Sequence, residues 1–301
     1  MAAQPLPTPP TGIGHGPTPG DAVTWWGHAT TVIELDGTAL LTDPLLRPGV
    51  GPLGWGPLRW SHARPPHGLA RQVSAVLISH LHHDHLDLPS LASVPPGVPI
   101  VVPAGGGRYL SRHLRADVVE VVEGEELAVG EVTVRAVHAR HDGRRWPLGP
   151  PVAALGYLVT GPARPGAAPG PSPGDRPSAG AVATRPCVYF AGDTDLYPGM
   201  AELAEHGLTL ALLPVGGWGL SLGEGHLDAH RAARALQLLR PAAAVPIHWG
   251  GLRVPVVWRS RPHLFHTPGT EFAEHAAELA PDVQVLVSEL GDRVALPGPR
   301  R

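Results

Sequence analysis

The chain has 301 residues, 43% of them hydrophobic and 16% charged, which allows a sizeable core and excludes a disordered polymer. A formal net charge of −3 and the absence of any strongly basic block argue against a nucleic-acid partner. The single cysteine, Cys187, excludes an intrachain disulfide. The N-terminus shows neither a basic n-region nor an apolar h-region, and no apolar run approaches the ~20 residues of a membrane span. These features predict a cytoplasmic protein. All 23 basic residues are arginine, and with abundant Ala, Gly and Pro this fits a GC-rich, bacterial coding sequence.

Residues 1–20 are rich in Pro, Gly and Thr without periodicity, which predicts a disordered tail ahead of one domain over 21–301. Residues 24–35 are β-prone. Asp36-Gly37 signals a type I′ hairpin, residues 38–43 form the returning strand, and Pro44 ends it. Residues 45–72 are a long irregular segment carrying Trp55, Trp60, His62 and His67, the kind of loop that usually serves as a lid or binding loop. A buried strand is predicted over 73–78, a short helix over 88–93, and a strand over 98–102. A helix over 107–114 and a strand over 117–122 follow.

Residues 125–137 read as a hairpin turning at Gly130-Glu131, and 152–160 as a further strand. Residues 161–186 are low-complexity Pro/Gly/Ala and read as a flexible insertion between adjacent strands. Beyond it come a helix at 199–206, a strand at 208–213 and an amphipathic helix at 227–239 stopped by Pro241. A strand at 242–247, a helix at 269–279 and a closing strand pair, 283–287 with 294–296, complete the chain. Hairpins in the first half and strand–helix alternation in the second predict an α/β sandwich with mixed sheets.

The chemistry concentrates in Ser79-His80-Leu81-His82-His83-Asp84-His85-Leu86-Asp87, directly after the predicted strand 73–78. Neutral imidazoles and an adjacent carboxylate suit zinc or other first-row cations. In extended or turning backbone His80 and His82 point one way, while Asp84 and His85 leave the next turn on another side. That arrangement can serve two ions. Asp193 at one later strand end can bridge them, and His248 stands at another. Either His138 or His141 can be the third ligand of the first ion. His226 precedes a helix N-terminus, where anions bind readily, and Asp228 is placed to cap that helix.

His80-Leu81-His82-His83-Asp84-His85 resembles the HxHxDH signature of the metallo-β-lactamase superfamily, and Gly192-Asp193-Thr194 and Ile247-His248-Trp249-Gly250 resemble its later ligand segments. Trp26-Gly27-His28-Ala29-Thr30, Leu41-Thr42-Asp43-Pro44 and Gly225-His226-Leu227-Asp228 are similar to the branch of N-acyl-phosphatidylethanolamine-hydrolysing phospholipase D and the ascorbate-phosphate lactonases. The resemblance spans residues 22–297 and implies an αβ/βα four-layer sandwich with two mixed sheets. It implies two divalent cations, Zn2+ first with Mn2+ or Fe2+ as alternatives.

Carried over residue by residue, it gives His80, His82 and His141 to the first ion. The second takes Asp84, His85 and His248, and Asp193 bridges. His141 is preferred to His138 because the branch places its ligand two residues before a Gly-Arg pair, here Gly143-Arg144. The implied reaction is attack by a metal-bridging hydroxide on a phosphodiester or related ester of a small-molecule or lipid-like anionic substrate. Asp84 orients or deprotonates the water, and Arg144 and His226 hold the anionic group or protonate the leaving group. Asp43 and His28 fix ligand orientation, while His83 faces the substrate or the outer partners of the ligands. A lactonase or thioesterase with the same core, a di-iron redox enzyme and a non-catalytic metal-binding protein are the alternatives.

Overall fold

A computed structural model of the chain describes residues 20–50, 65–145, 147, 149–164 and 185–298, with the strand backbones of Gln4–Pro5 and Leu53–Trp55. The predicted tail and insertion lie largely outside the described residues, as do Trp60 and His62 of the long loop.

The architecture is an α/β sandwich built on two mixed sheets. One has seven strands: Arg293–Ala295, Ala22–Gly27, Thr30–Leu35, Thr38–Thr42, Ala75–Leu77, Ile100–Pro103 and Val118–Val121 in spatial order. The other has eight: Gln4–Pro5, Glu126–Val129, Val132–Asp142, Ala153–Thr160, Cys187–Phe190, Leu210–Pro214, Ala243–Ile247 and Gln284–Val285. Both sheets feed one apolar core in which Ile33, Leu35 and Leu40 of the first meet Val134, Tyr157 and Val188 of the second. The alternation of buried apolar residues along strands such as Val132–Asp142 supplies that face.

The Asp36-Gly37 turn has φ of 48° and 76°, the paired positive values a type I′ hairpin requires. Asp228 caps the helix Ala229–Leu239 by accepting from the Arg231 amide, as its position implied. Three expectations are corrected. The 283–287 and 294–296 segments do not pair with each other, because Gln284–Val285 extends the eight-stranded sheet and Arg293–Ala295 the seven-stranded one. Residues Pro198–His206 form a 3-10 helix. The strand predicted to stop at Val137 runs on to Asp142, with a register shift between His138 and Asp142.

Direction decides where function can sit. Thr38–Thr42, Ala75–Leu77 and Ile100–Pro103 are parallel, as are Cys187–Phe190, Leu210–Pro214 and Ala243–Ile247. Val132–Asp142 runs the same way as the second set, since both are antiparallel to Ala153–Thr160. The residues that follow these strand ends therefore gather at one edge, the usual place for ligands in α/β sheets.

Candidate metal centre

At that edge, Asp43, His80–His85, His141, Asp193, Gly216 and His248 converge from separate strand ends. His82 Nδ1 lies 3.1 Å from His141 Nε2, and the His80 ring packs edge-on against both at centroid distances of 4.5 and 4.7 Å. His85 Nε2 lies 3.1 Å from His248 Nε2 and 3.2 Å from Asp193 Oδ2. Asp193 also reaches His248 Nε2 at 3.1 Å, His226 Nε2 at 3.6 Å and His80 Nε2 at 4.0 Å, so it joins the two groups. His28 Nε2 donates to Asp84 Oδ2 at 2.8 Å, and its ring lies over that of His248, centroids 3.9 Å apart.

Hydrogen bonds to pure acceptors fix the tautomers. His248 Nδ1 donates to Gly216 O at 2.8 Å, His141 Nδ1 to Gly225 O at 3.0 Å, and His85 Nδ1 to Asp43 Oδ2 at 2.7 Å. Asp43 also accepts from the Ser79 amide at 2.7 Å and the Ser79 hydroxyl at 2.6 Å. With its proton committed to Asp43, Ser79 Oγ must accept from His80 Nδ1, 2.9 Å away. One fully buried carboxylate thus orients a histidine in each group: His85 directly, and His80 through Ser79.

The consequence is a set of lone pairs aimed at one another. In their neutral forms His85 and His248 face each other with unprotonated Nε2 atoms, and His141 Nε2 faces His82. His80 Nε2 is buried without a hydrogen-bond partner, as is Asp193 Oδ1. Such an arrangement is repulsive by itself and is resolved by cations, so these donors fit the divalent metals of the family resemblance.

The proton affinities agree. Burial lowers His82 to about 4 and His248 to about 3, and pushes His80 well below the usual imidazole range. Burial also lowers His141. Burial alone would raise Asp84 and Asp193, but the surrounding histidines hold both well below the usual carboxylate range. His85 is the exception: burial opposes its charge, yet Asp193, Asp84 and Asp43 raise it well above its ordinary value. At neutral pH His80, His82, His141 and His248 are therefore neutral imidazoles among ionised carboxylates, with His85 the member that favours its proton.

A family model described as the beta-lactamase superfamily domain matches residues 38–249, a span that contains every one of these donors except His28. The chain belongs to the metallo-β-lactamase superfamily. An uncharacterized protein of Mycobacterium tuberculosis is 30% identical over 310 residues, covering 99% of this chain and 75% of the relative. A metal-dependent hydrolase of Opitutus terrae is 30% identical over 242 residues, covering 75% of this chain and 84% of its own length. Among solved structures, the metallo hydrolase Igni18 of Ignicoccus hospitalis shares the fold, with a TM-score of 0.62 at 21% identity over 92% of this chain and 98% of that one.

Within this superfamily core, several placements go beyond the sequence reading. Of the His138/His141 alternatives, only His141 reaches the cluster. His138 is exposed beside Glu123, because residues three apart on a strand face opposite sides. Arg144 is exposed, and its backbone amide donates to Asp142. Its neighbour Arg145, unnoticed in the sequence, is buried instead: Nη1 donates to Leu81 O at 3.1 Å and Leu86 O at 2.6 Å, and Nη2 to His83 Nδ1 at 2.9 Å. The guanidinium ties down both ends of the histidine loop, and His83 points outside the cluster. Arg145→Lys cannot reproduce this three-acceptor fork, and metal affinity is expected to fall about 10–100-fold with the fold retained. Competition against a graded chelator measures it; unchanged affinity would contradict the bracing role.

Trp218 was also missed. It sits in the Gly-rich stretch after the strand Leu210–Pro214, and its indole Nε1 donates to Asp84 Oδ2 at 3.0 Å. Trp218 is 40% exposed, so the indole that contacts Asp84 also presents an apolar face to solvent.

Gly192 is a tight backbone position within the centre. Its φ is 59°, and a Cβ there would lie 2.6 Å from Ser79 Cβ, the residue that relays Asp43 to His80. Gly192→Ala is expected to cost roughly 2–4 kcal/mol and to weaken metal binding. Urea unfolding checks this, and a loss within the ordinary ~0.5 kcal/mol of a surface change would contradict it.

Proposed function

We propose that this metal-dependent hydrolase is dinuclear and cleaves a phosphodiester or related ester of a small, anionic or lipid-like substrate. In this reading His80, His82 and His141 hold one cation, Asp84, His85 and His248 the other, and Asp193 lies between them. Zn2+ is the cation that three-imidazole and imidazole–carboxylate donor sets suit best. The observation that carries the reading is the run of ring nitrogens facing one another around Asp193, with His80 Nε2 and Asp193 Oδ1 buried and without hydrogen-bond partners. When bound, the two cations supply activation of water near neutral pH and polarisation of the scissile oxygen.

The protein's own groups do the rest. Asp84 accepts from His28 and Trp218 on one oxygen, which fixes the carboxylate that is to orient the attacking water. His226 lies 3.6 Å from Asp193; burial opposes its charge, but the carboxylate raises its proton affinity above the ordinary value. It is placed to pass a proton to the leaving group. Arg144, exposed beyond His141, is assigned to meet the incoming anionic group. The partly exposed indole of Trp218 beside Asp84 suits a substrate with an apolar portion and favours the phospholipase-like branch that the sequence resembles. Metal analysis followed by a panel of phosphodiesters, lactones, thioesters and carboxylic esters tests the proposal; turnover confined to none of them by zinc-loaded protein would overturn it.

A further inference from the structure

A second unsatisfied constellation lies in the segment that follows the ligand candidate His248. The short strand Leu252–Arg253 follows the His248 segment and pairs antiparallel with Leu53–Trp55. The Arg253 guanidinium lies over the Trp258 ring, 4.0 Å from its centroid. Arg253 Nη1 and Trp258 Nε1 are both buried, and neither has a hydrogen-bond partner. Of the other buried side-chain atoms without partners among the described residues, His80 Nε2 and Asp193 Oδ1 belong to the metal centre. No carboxylate among the described residues offsets the charge of Arg253, and burial alone lowers its proton affinity.

A packing role does not account for this. A cation–π contact returns about 0.5–2 kcal/mol, comparable with or below the cost of burying one unpaired donor, and here two are buried side by side. Both donors call for acceptors, and the fixed positive charge selects an anion over a neutral group. A planar guanidinium edge with an adjacent indole N–H matches two oxygens of one carboxylate or phosphate.

We propose that Arg253 and Trp258 form an oxyanion subsite that holds the anionic end of the substrate while the ester lies at the metal centre. Its assignment to the substrate rests on the hydrolase reading above, whereas anion binding at the pair can be measured without turnover. The test is isothermal titration of the full-length, metal-loaded protein with inorganic phosphate, and separately with acetate. Arg253→Met, Arg253→Lys and Trp258→Phe are run beside the wild type. Anion bound by the cations themselves is common to all four proteins, so the difference isolates the subsite.

The expected result is a binding event in the wild type that weakens at least about tenfold in Arg253→Met and about threefold in Trp258→Phe, with metal content unchanged. Identical isotherms in the wild type and Arg253→Met, or no anion binding by the wild type, would overturn the proposal. Should Arg253→Met fail to fold, Trp258→Phe and Arg253→Lys decide: undiminished affinity in both overturns it. A wild type that binds the anion but turns over no ester counts against the hydrolase reading and leaves the subsite standing.

Discussion

Asp43→Asn is expected to weaken both metal sites together while leaving a folded protein. The Asp43 carboxylate is completely buried and accepts from Ser79 N, Ser79 Oγ and His85 Nδ1. An amide of the same shape replaces one acceptor oxygen by a donor, which faces either the Ser79 groups or His85. If His85 is affected, its proton moves to Nε2, the nitrogen that faces His248 and Asp193. If Ser79 is affected, the hydroxyl turns toward His80 Nδ1 and drives that proton to Nε2 instead. Outer partners of metal-bound histidines typically contribute 10–100-fold to metal affinity each. Serving a histidine in each group, Asp43 is expected to lower affinity for both cations by about that factor. Sequential metal-binding titrations read the two sites separately, and a loss confined to one would contradict the shared role.

The second large effect is expected at Asp193. Its carboxylate lies 3.1–3.6 Å from His248, His85 and His226, and 4.0 Å from His80. Asp193→Ala removes the carboxylate that lies between the two histidine sets and leaves their ring nitrogens without that intervening anion. Retention of at most one cation per chain is expected, with hydrolysis falling by more than the ~100-fold typical of an outer partner. His82→Ala, on the first set alone, is expected to release the first cation and spare the second. Full activity in both variants would sink the assignment.

What the sequence made legible follows from locality. His80, His82, Asp84 and His85 lie within one turn, so their spacing carries their chemistry without knowledge of the sheets. Asp193 and His248 were recognisable because each follows a short apolar run ended by residues unsuited to a continuing strand. The choice between His138 and His141 depends on where the strand Val132–Asp142 shifts register, which only pairing with Ala153–Thr160 defines. Arg145 was hidden for a related reason. Gly143 lies so close to Val152 O that a Cβ there would stand 2.6 Å from it, and this tight passage precedes two arginines with opposite fates. Arg144 goes to solvent, whereas Arg145 reaches under the histidine loop. Trp218 carried no periodic or motif signal; its contact with Asp84 arises from a loop that folds back over another strand end. The separation of the last two strands was likewise unreadable, since an apolar segment does not announce which of two sheets has a vacant edge.

No helix among the described residues is long and apolar enough to cross a membrane.

The most direct measurement is metal stoichiometry coupled to turnover. The protein is stripped with chelator, reloaded with increasing Zn2+, and assayed at each point on the ester that the panel identifies. Activity is predicted to rise with the second equivalent and to plateau at two cations per chain. Full activity at one equivalent, or activity that persists in the stripped protein, would contradict a dinuclear centre built on Asp193.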